Sequence, residues 1–254
     1  MSSEGAKLLK SPATYPSPGT IAAKSFIVAQ SFSQEVKLNF TRCMLISFQM
    51  LCELGAIIVA IIFVGQLPDS ALYLSGVGFA RTFVNVTGTA MAWGFTTSLF
   101  TLLPQSIGAG HTRHATIHIQ RSFYIVSIIS ALLSVAQFFA GDIMVAIGQP
   151  AELKPIVNTY SRLLIPYIFL TAYSAIWMRL IQSLDMNVAL TWCALLLLAS
   201  CPPLTWFFMY YLECGYWGAA IGQICVMLIF NVALIVTLIR KGYGYIFVPL
   251  PLST

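Results

Sequence analysis

Long apolar segments alternate with short polar connections along most of this chain. Because a helix needs about 20 apolar residues to cross the hydrocarbon core of a bilayer, six of these segments are long enough to span it. They are Thr41–Gly65, Ala71–Ser106, Ile117–Ala146, Lys154–Ser183, Asn187–Leu212 and Tyr216–Arg240. The pattern predicts an all-α integral membrane protein, a six-transmembrane-helix bundle over residues 41–241. Cytoplasmic tails are predicted over residues 1–40 and 242–254.

Composition supports a membrane location. Hydrophobic residues make up 58% of the 254 and charged residues only 8%, whereas soluble domains carry about 25% charge. A chain with so few charges cannot cover a surface that faces water, so the lipid bilayer is its main partner. The basic residues behind the net charge of +5 lie between apolar segments and form no patch, which argues against a nucleic-acid partner.

If the chain crosses the bilayer six times, its basic residues are distributed unevenly between the two sides of the membrane. Lysines and arginines of the connections and tails fall on one side, except for Lys154 on the other. The first side receives Lys7, Lys10, Lys24, Lys37, Arg42, Arg113, Arg121, Arg179, Arg240 and Lys241. The positive-inside rule therefore predicts that both termini of this multi-pass protein are cytoplasmic. We expect the plasma membrane rather than an organelle.

Two charged residues stand out within the predicted spans, because ionisable groups in hydrocarbon are costly and usually face a partner or a cavity. Glu53 precedes Gly65 by 12 residues, and Arg81 follows Ala71 by 10. At about 1.5 Å per residue they lie at similar depth in antiparallel neighbours. We therefore predict an intramembrane ion pair between Glu53 and Arg81. A structural pair is favoured over a proton-coupling Glu53, because a nearby cation stabilises the ionised carboxylate.

Polar residues recur on single faces of three predicted helices. The second span carries a stripe at helical spacing, the first carries two residues on one face, and the sixth carries three. These stripes are Arg81, Asn85, Thr89, Ala92 and Thr96; Gln49 and Glu53; and Gln223, Met227 and Asn231. They predict one cavity wall for a polar or cationic substrate. Close helix packing explains small and hydroxyl residues equally well.

Aromatic residues and a proline pair offer weaker signals. The rings of Tyr167, Tyr173, Trp177 and Trp206 are suited to contacting aromatic cations, although packing and interface anchoring are the commoner roles of such residues. The Pro202-Pro203 pair removes two N–H donors from the fifth span and predicts that this helix is kinked or unwound. Transporters use such breaks at binding sites, and a purely structural kink is equally consistent.

The sequence offers no residues for an enzyme, a cofactor or a metal site. His111, His114 and His118 lack a neighbouring carboxylate or cysteine, whereas zinc normally takes three or four protein ligands. Patterns of nucleotide-driven pumps, hydrolases and metalloproteases do not occur. An ATP-driven pump is therefore not expected.

An ordered set of motifs resembles the eukaryotic form of the MATE (multidrug and toxin extrusion) transporters. The most specific are Asn85-Val86-Thr87-Gly88 and Gln105 with Gly108-Ala109, in the second helix and the loop that follows. Weaker matches follow in the family's order: Gln120-Arg121, Gly148-Gln149-Pro150, Tyr160 with Leu164-Ile165-Pro166, Arg179-Leu180-Ile181-Gln182 and Gly218-Ala219-Ala220. Departures include Leu45 in place of an early proline, Thr205 in place of an asparagine, and Glu53 and Arg81 in place of apolar residues.

The resemblance implies an antiporter that exchanges organic cations or drug-like small molecules for protons or sodium. Such proteins have two six-helix bundles around a central cavity, and the matches cover only the N-terminal bundle. We therefore expect a chain truncated to one half, which would work with a second half-transporter or as a homodimer. The alternative is a non-transporting membrane subunit that binds or regulates a full-length transporter. A lipid flippase of the same superfamily ranks below both.

Overall fold

The computed structural model describes residues 32–247, and every regular element in this range is helical. In chain order the elements are α1 (Phe32–Val64), α2 (Ser70–Val84), a π-helical segment (Asn85–Thr89), α3 (Ala90–Thr96), α4 (Leu99–Gly108), α5 (Thr112–Gln137), α6 (Ala140–Ala146), a 3₁₀ turn (Ala151–Leu153), α7 (Lys154–Leu163), α8 (Ile165–Ser183), α9 (Asn187–Trp206), a second π-helical segment (Phe207–Tyr211), α10 (Tyr216–Arg240) and a last 3₁₀ turn (Gly244–Phe247). The predicted all-α fold is confirmed. Residues 1–31 and 248–254 of the predicted tails lie outside the described range.

The helices agree with most of the predicted spans in position. Four are long and apolar enough to cross a bilayer alone: α1, α5, α9 with the π segment that follows it, and α10. Helices α7 and α8 meet the same criterion as one bent pair. The second predicted span consists of α2, the first π segment, α3 and α4, none of which reaches that length alone. Four or five spans are therefore supported, and six stays a prediction.

Helix α1 begins earlier than predicted, at Phe32, within the segment assigned to the N-terminal tail. Its 33 residues correspond to about 50 Å at the usual rise of an α-helix. Since the hydrocarbon core of a bilayer is about 30 Å thick, this helix must tilt or extend beyond the membrane.

A bend of 43° divides the fourth span between α7 and α8. Leu164 separates the two helices, and Pro166 stands at the start of α8. Proline has no N–H to donate and its ring collides with the preceding turn, so the helix breaks there. By contrast, α9 runs through Pro202 and Pro203 without unwinding. The surrounding protein can support such a helix, and α1 and α10 both pack against α9.

The bundle has a packed interior and an apolar exterior. Helix α9 packs against α1 and α10, and α8 packs against α10. Phe230, Leu197 and Ile176 are almost fully buried between these helices, whereas Ile128 and Trp192 are 71% and 69% exposed. Large apolar side chains on the outside are stable in contact with lipid chains rather than water. The chain is accordingly a multi-pass membrane protein.

The start of α10 approaches the second π segment at backbone distance. A Cβ atom added to Gly218 would lie 2.6 Å from the carbonyl oxygen of Phe208 and 2.7 Å from the backbone nitrogen of Met209. Real Cβ contacts are not this short, so only glycine fits without displacing the backbone. Small residues commonly allow this kind of close helix contact in membranes.

Replacing Gly218 with alanine is therefore expected to destabilise the fold by about 1–3 kcal/mol, because α10 must move away from the π segment. Thermal unfolding of the detergent-solubilised chain measures the effect as a lowered Tm. Gly78→Ala is the matched control, since a Cβ at Gly78 meets no atom within 4 Å. Equal Tm values for both variants would contradict the proposed close approach.

Candidate functional site: a charged cavity in the centre of the bundle

A cavity of about 100 Å³ lies among the helices of the bundle. Helices α1, α8, α9 and α10 contribute to its wall, together with the second span from α2 to α3. The polar and aromatic members of the wall are Glu53, Arg81, Asn85, Thr89, Trp93, Tyr167, Thr171 and Gln223. The three stripes predicted from the sequence therefore each place at least one residue in the same cavity.

Arg81 is the cation of this cavity and is only 9% exposed. Its Nη2 donates a hydrogen bond of 2.6 Å to the hydroxyl oxygen of Tyr167. The guanidinium carbon also lies 4.3 Å from the centre of the Tyr167 ring, within range of a cation–π interaction. Its Nη1 is buried and has no hydrogen-bond partner in the part of the chain that the structure describes. One face of Arg81 is thus fixed, and one donor remains available.

The predicted ion pair between Glu53 and Arg81 is wrong. Both residues line the cavity, but the salt bridges among residues 32–247 do not include them. Arg81 is directed to Tyr167 instead, because the phenol supplies both a hydrogen-bond acceptor and an aromatic face. Glu53 interacts electrostatically with Arg179, also without an ion-pair contact. Depth in the membrane did not determine which side chains meet.

The first π segment lies directly in the cavity wall. The backbone N–H of Ala90 bonds the carbonyl oxygen of Asn85, five residues earlier, which widens this turn of the helix. The hydroxyl of Thr89 donates to the side-chain oxygen of Asn85 at 2.7 Å. From α5, Gln137 donates to the hydroxyl of Thr87 at 2.8 Å. Single π turns inside helices are frequent at functional sites.

The π turn divides the predicted stripe of the second span. Arg81, Asn85 and Thr89 line the cavity, whereas Thr96 does not. Thr96 is fully buried, and its hydroxyl donates to the carbonyl oxygen of Trp93 at 2.8 Å. An extra residue in one turn rotates everything that follows relative to a regular α-helix. Accordingly Trp93 lines the cavity, one residue later than the predicted Ala92.

The remaining predicted residues are three amides, and each donates a hydrogen bond to a backbone carbonyl oxygen inside the bundle. Gln223 lines the cavity, and its amide donates to the carbonyl oxygen of Ala56 at 2.9 Å. Gln49 and Asn231 do not line it. Gln49 donates to the carbonyl oxygen of Asn187 at 3.1 Å, joining α1 to α9. Asn231 donates to the carbonyl oxygens of Leu170 and Met227. These two amides connect helices, as the packing interpretation expects.

Two residues with electrostatic or aromatic roles were not among the site residues predicted from the sequence. The sequence predicts Arg179 as a charge on the cytoplasmic side and as part of a family motif; in the structure it is 6% exposed, and its guanidinium carbon lies 3.7 Å from the centre of the Phe100 ring. The guanidinium carbon of Arg179 also lies 5.4 Å from the centre of the Trp93 ring, which lines the cavity. The rings that contact Arg179 belong to Trp93 and Phe100 of the second predicted span. No local sequence pattern around Arg179 could therefore have shown these contacts.

The chain matches curated relatives over most of its own length. It is 30% identical over 185 residues to Protein DETOXIFICATION 17 of Arabidopsis thaliana, a match that covers 70% of this chain and 37% of the relative. It is 26% identical over 192 residues to Protein DETOXIFICATION 35 of the same plant, covering 70% and 38%. The matched region is thus well under half of each relative's length.

Solved structures show the same fold. The crystal structure of the eukaryotic MATE transporter AtDTX14 has a TM-score of 0.77 at 22% identity, covering 85% of this chain and 48% of that one. The crystal structure of MATE in the straight conformation has a TM-score of 0.67 at 19% identity, covering 92% and 48%. This chain therefore spans about half of each transporter. Residues 46–186, more than half of the chain, match the MatE family, and the chain belongs to that family.

Proposed function

We propose that this chain is one lobe of a secondary transporter that exchanges small organic compounds for protons or sodium ions. The central cavity carries the proposal, because Glu53 there has no ion-pair contact among the described residues and shares the space with Arg81. Membership of the MatE family supports a transporter rather than an enzyme. An ionisable group inside a membrane most often marks an ion or substrate pathway.

The size of the cavity bears on when a substrate can bind. Its volume of about 100 Å³ corresponds to roughly three water molecules. Sites for drug-sized ligands measure about 300–1,000 Å³. The described conformation is therefore closed to such a ligand. Binding requires the helices around the cavity to separate, as alternating access between two sides of a membrane demands.

The charges of the cavity define the chemistry of a suitable substrate. The carboxylate of Glu53 suits the positive group of an organic cation, and a proton or sodium ion would compete with that cation for the same carboxylate. Such competition couples the two fluxes in opposite directions. The unpaired Nη1 of Arg81 suits a hydrogen-bond acceptor elsewhere on the same molecule. A drug-like cation that carries an oxygen acceptor meets both requirements.

Alternating access also implies a second lobe. The related transporters of known structure are about twice the length of this chain, and rocking motion needs two bundles that move against each other. We propose that the working unit contains either a separate second half or a second copy of this chain. The plasma membrane, with both termini in the cytoplasm, is the proposed location.

Glu53→Gln is expected to reduce gradient-driven transport about tenfold or more, because the neutral amide loses the charge-assisted contact with the cation. Efflux of a fluorescent organic cation from proteoliposomes, under an imposed proton or sodium gradient, measures the rate. Glu35→Gln is the control, since Glu35 is an exposed carboxylate on the same helix, outside the cavity. If the folded, monodisperse chain moves no cation under either gradient, a working pair of two copies is excluded. A separate second half or the regulatory subunit is then favoured, and the same assay repeated with a full-length relative present distinguishes these two.

Arg81→Gln is expected to tighten binding of a simple organic cation about tenfold, because it removes a like charge from the cavity. Fluorescence titration of the detergent-solubilised chain with the same cation gives the Kd. Arg162→Gln is the matched control, as Arg162 is exposed and contacts Phe138 away from the cavity. Unchanged or weaker binding by the Arg81 variant would show that this guanidinium does not face the bound cation.

A further inference from the structure

A second cavity, of about 470 Å³, lies at the end of the bundle that is predicted to face the cytoplasm. It is bounded by α1, α4, the last turn of α8 and the first residue of α9. Its volume falls within the range of ligand sites. The side chains of Arg42 and Asp185 at its rim are 36% and 41% exposed, so solutes can reach the interior from the surface.

Two guanidinium groups in this cavity have donors without acceptors. The Nε atoms of Arg42 and Arg179 are both buried, and neither has a hydrogen-bond partner in residues 32–247. Arg179 is 6% exposed and its guanidinium is fixed against the ring of Phe100 at 3.7 Å. Its Nη1 donates to the side-chain oxygen of Gln182 at 3.2 Å. A buried donor left without an acceptor is costly, and both arginines line the cavity.

The charges of the cavity do not balance. Arg42 forms an ion pair of 2.6 Å with Asp185. Arg179 has no ion-pair contact among the described residues, and the carboxylate that acts on it electrostatically, Glu53, lies in the wall of the central cavity. The second cavity therefore contains two cations and one anion. The surplus positive charge favours an anionic ligand.

The N-terminus of α9 adds a further donor group. This helix of 20 residues begins at Asn187, which lies in the cavity wall, and Met186 before it provides no side-chain cap. The first N–H groups of a helix have no acceptors within the helix, and the helix dipole places a partial positive charge there. Helix N-termini of this kind bind phosphate and carboxylate groups.

We infer that this second cavity binds an oxyanion of the phosphate type. A planar guanidinium presents parallel N–H groups that match two oxygens of such an anion, and a phosphate monoester has three oxygens for Arg42, Arg179 and the start of α9. The phosphate belongs either to a small soluble compound or to the headgroup of an anionic lipid. The site is separate from the central cavity and does not depend on transport.

Two measurements on the full chain distinguish the sources. In nanodiscs of neutral phosphatidylcholine, calorimetric titration with inorganic phosphate tests the soluble source. In nanodiscs that also contain phosphatidic acid, native mass spectrometry of the released protein counts the retained acidic lipid. Binding in the first experiment identifies a soluble ligand, and retention in the second alone identifies a lipid headgroup. Either result supports the oxyanion site.

Three substitutions test whether the anion binds in this cavity. Asp185→Asn is expected to tighten binding about tenfold, because it releases Arg42 from its competing carboxylate. The substitution should preserve the fold, since Asp185 has a φ of 57° and asparagine accepts this left-handed conformation readily. Arg179→Gln should weaken binding about tenfold or more. Arg162→Gln removes an arginine outside this cavity and should leave the affinity unchanged.

The gain of affinity in Asp185→Asn keeps the inference testable even if loss of Arg179 prevents folding. Absence of both phosphate binding and lipid retention in the folded chain would overturn the inference. Binding that is insensitive to Asp185→Asn, or that falls equally in Arg162→Gln, would overturn it as well, because the anion would then be held by general surface charge.

Discussion

The structure depends most on the burial of the Arg81 guanidinium in the middle of a membrane protein. A charged residue at the centre of a membrane helix costs about 2.5–3.5 kcal/mol even on lenient scales, so it must face protein or water rather than lipid. Tyr167 provides its acceptor and its aromatic surface, which fixes α2 against α8. The central cavity adjoins this contact. Among residues 32–247, the Nη1 of Arg81 has no hydrogen-bond partner and the carboxylate of Glu53 has no ion-pair contact.

Irregular backbone surrounds this charged centre. The first π segment forms part of the cavity wall, and the bend between α7 and α8 lies one turn before Tyr167. In hydrocarbon, backbone groups must find partners within the protein, so irregular turns are tolerated where neighbouring helices cover them. Around the π segment, the hydroxyls of Thr87 and Thr89 donate to the backbone carbonyl oxygens of Phe83 and Asn85. From α5, Gln137 adds a side-chain contact by donating to the hydroxyl of Thr87.

The two cavities differ in their charge and surroundings. The central cavity has a volume of about 100 Å³ and holds one carboxylate and one guanidinium, whereas the second has about 470 Å³ and contains two guanidinium groups and one carboxylate. Arg179 lines the second cavity, and its guanidinium carbon lies 5.4 Å from the ring of Trp93, which lines the first.

Hydropathy alone determined that the chain is helical and membrane-embedded, because lipid permits only segments whose backbone hydrogen bonds are satisfied internally. The spacing of Arg81, Asn85 and Thr89 also placed these residues on one face, since helical periodicity is a local property. The partner of Arg81 could not be predicted in this way, because Tyr167 is 86 residues away and depth in the membrane does not fix lateral contacts. The presence of Trp93 rather than Ala92 in the cavity wall, and the burial of Arg179 beside Phe100, likewise depend on contacts between distant segments. Only the tertiary structure decides such contacts, because side chains from different helices must fit together before their charges can be paired.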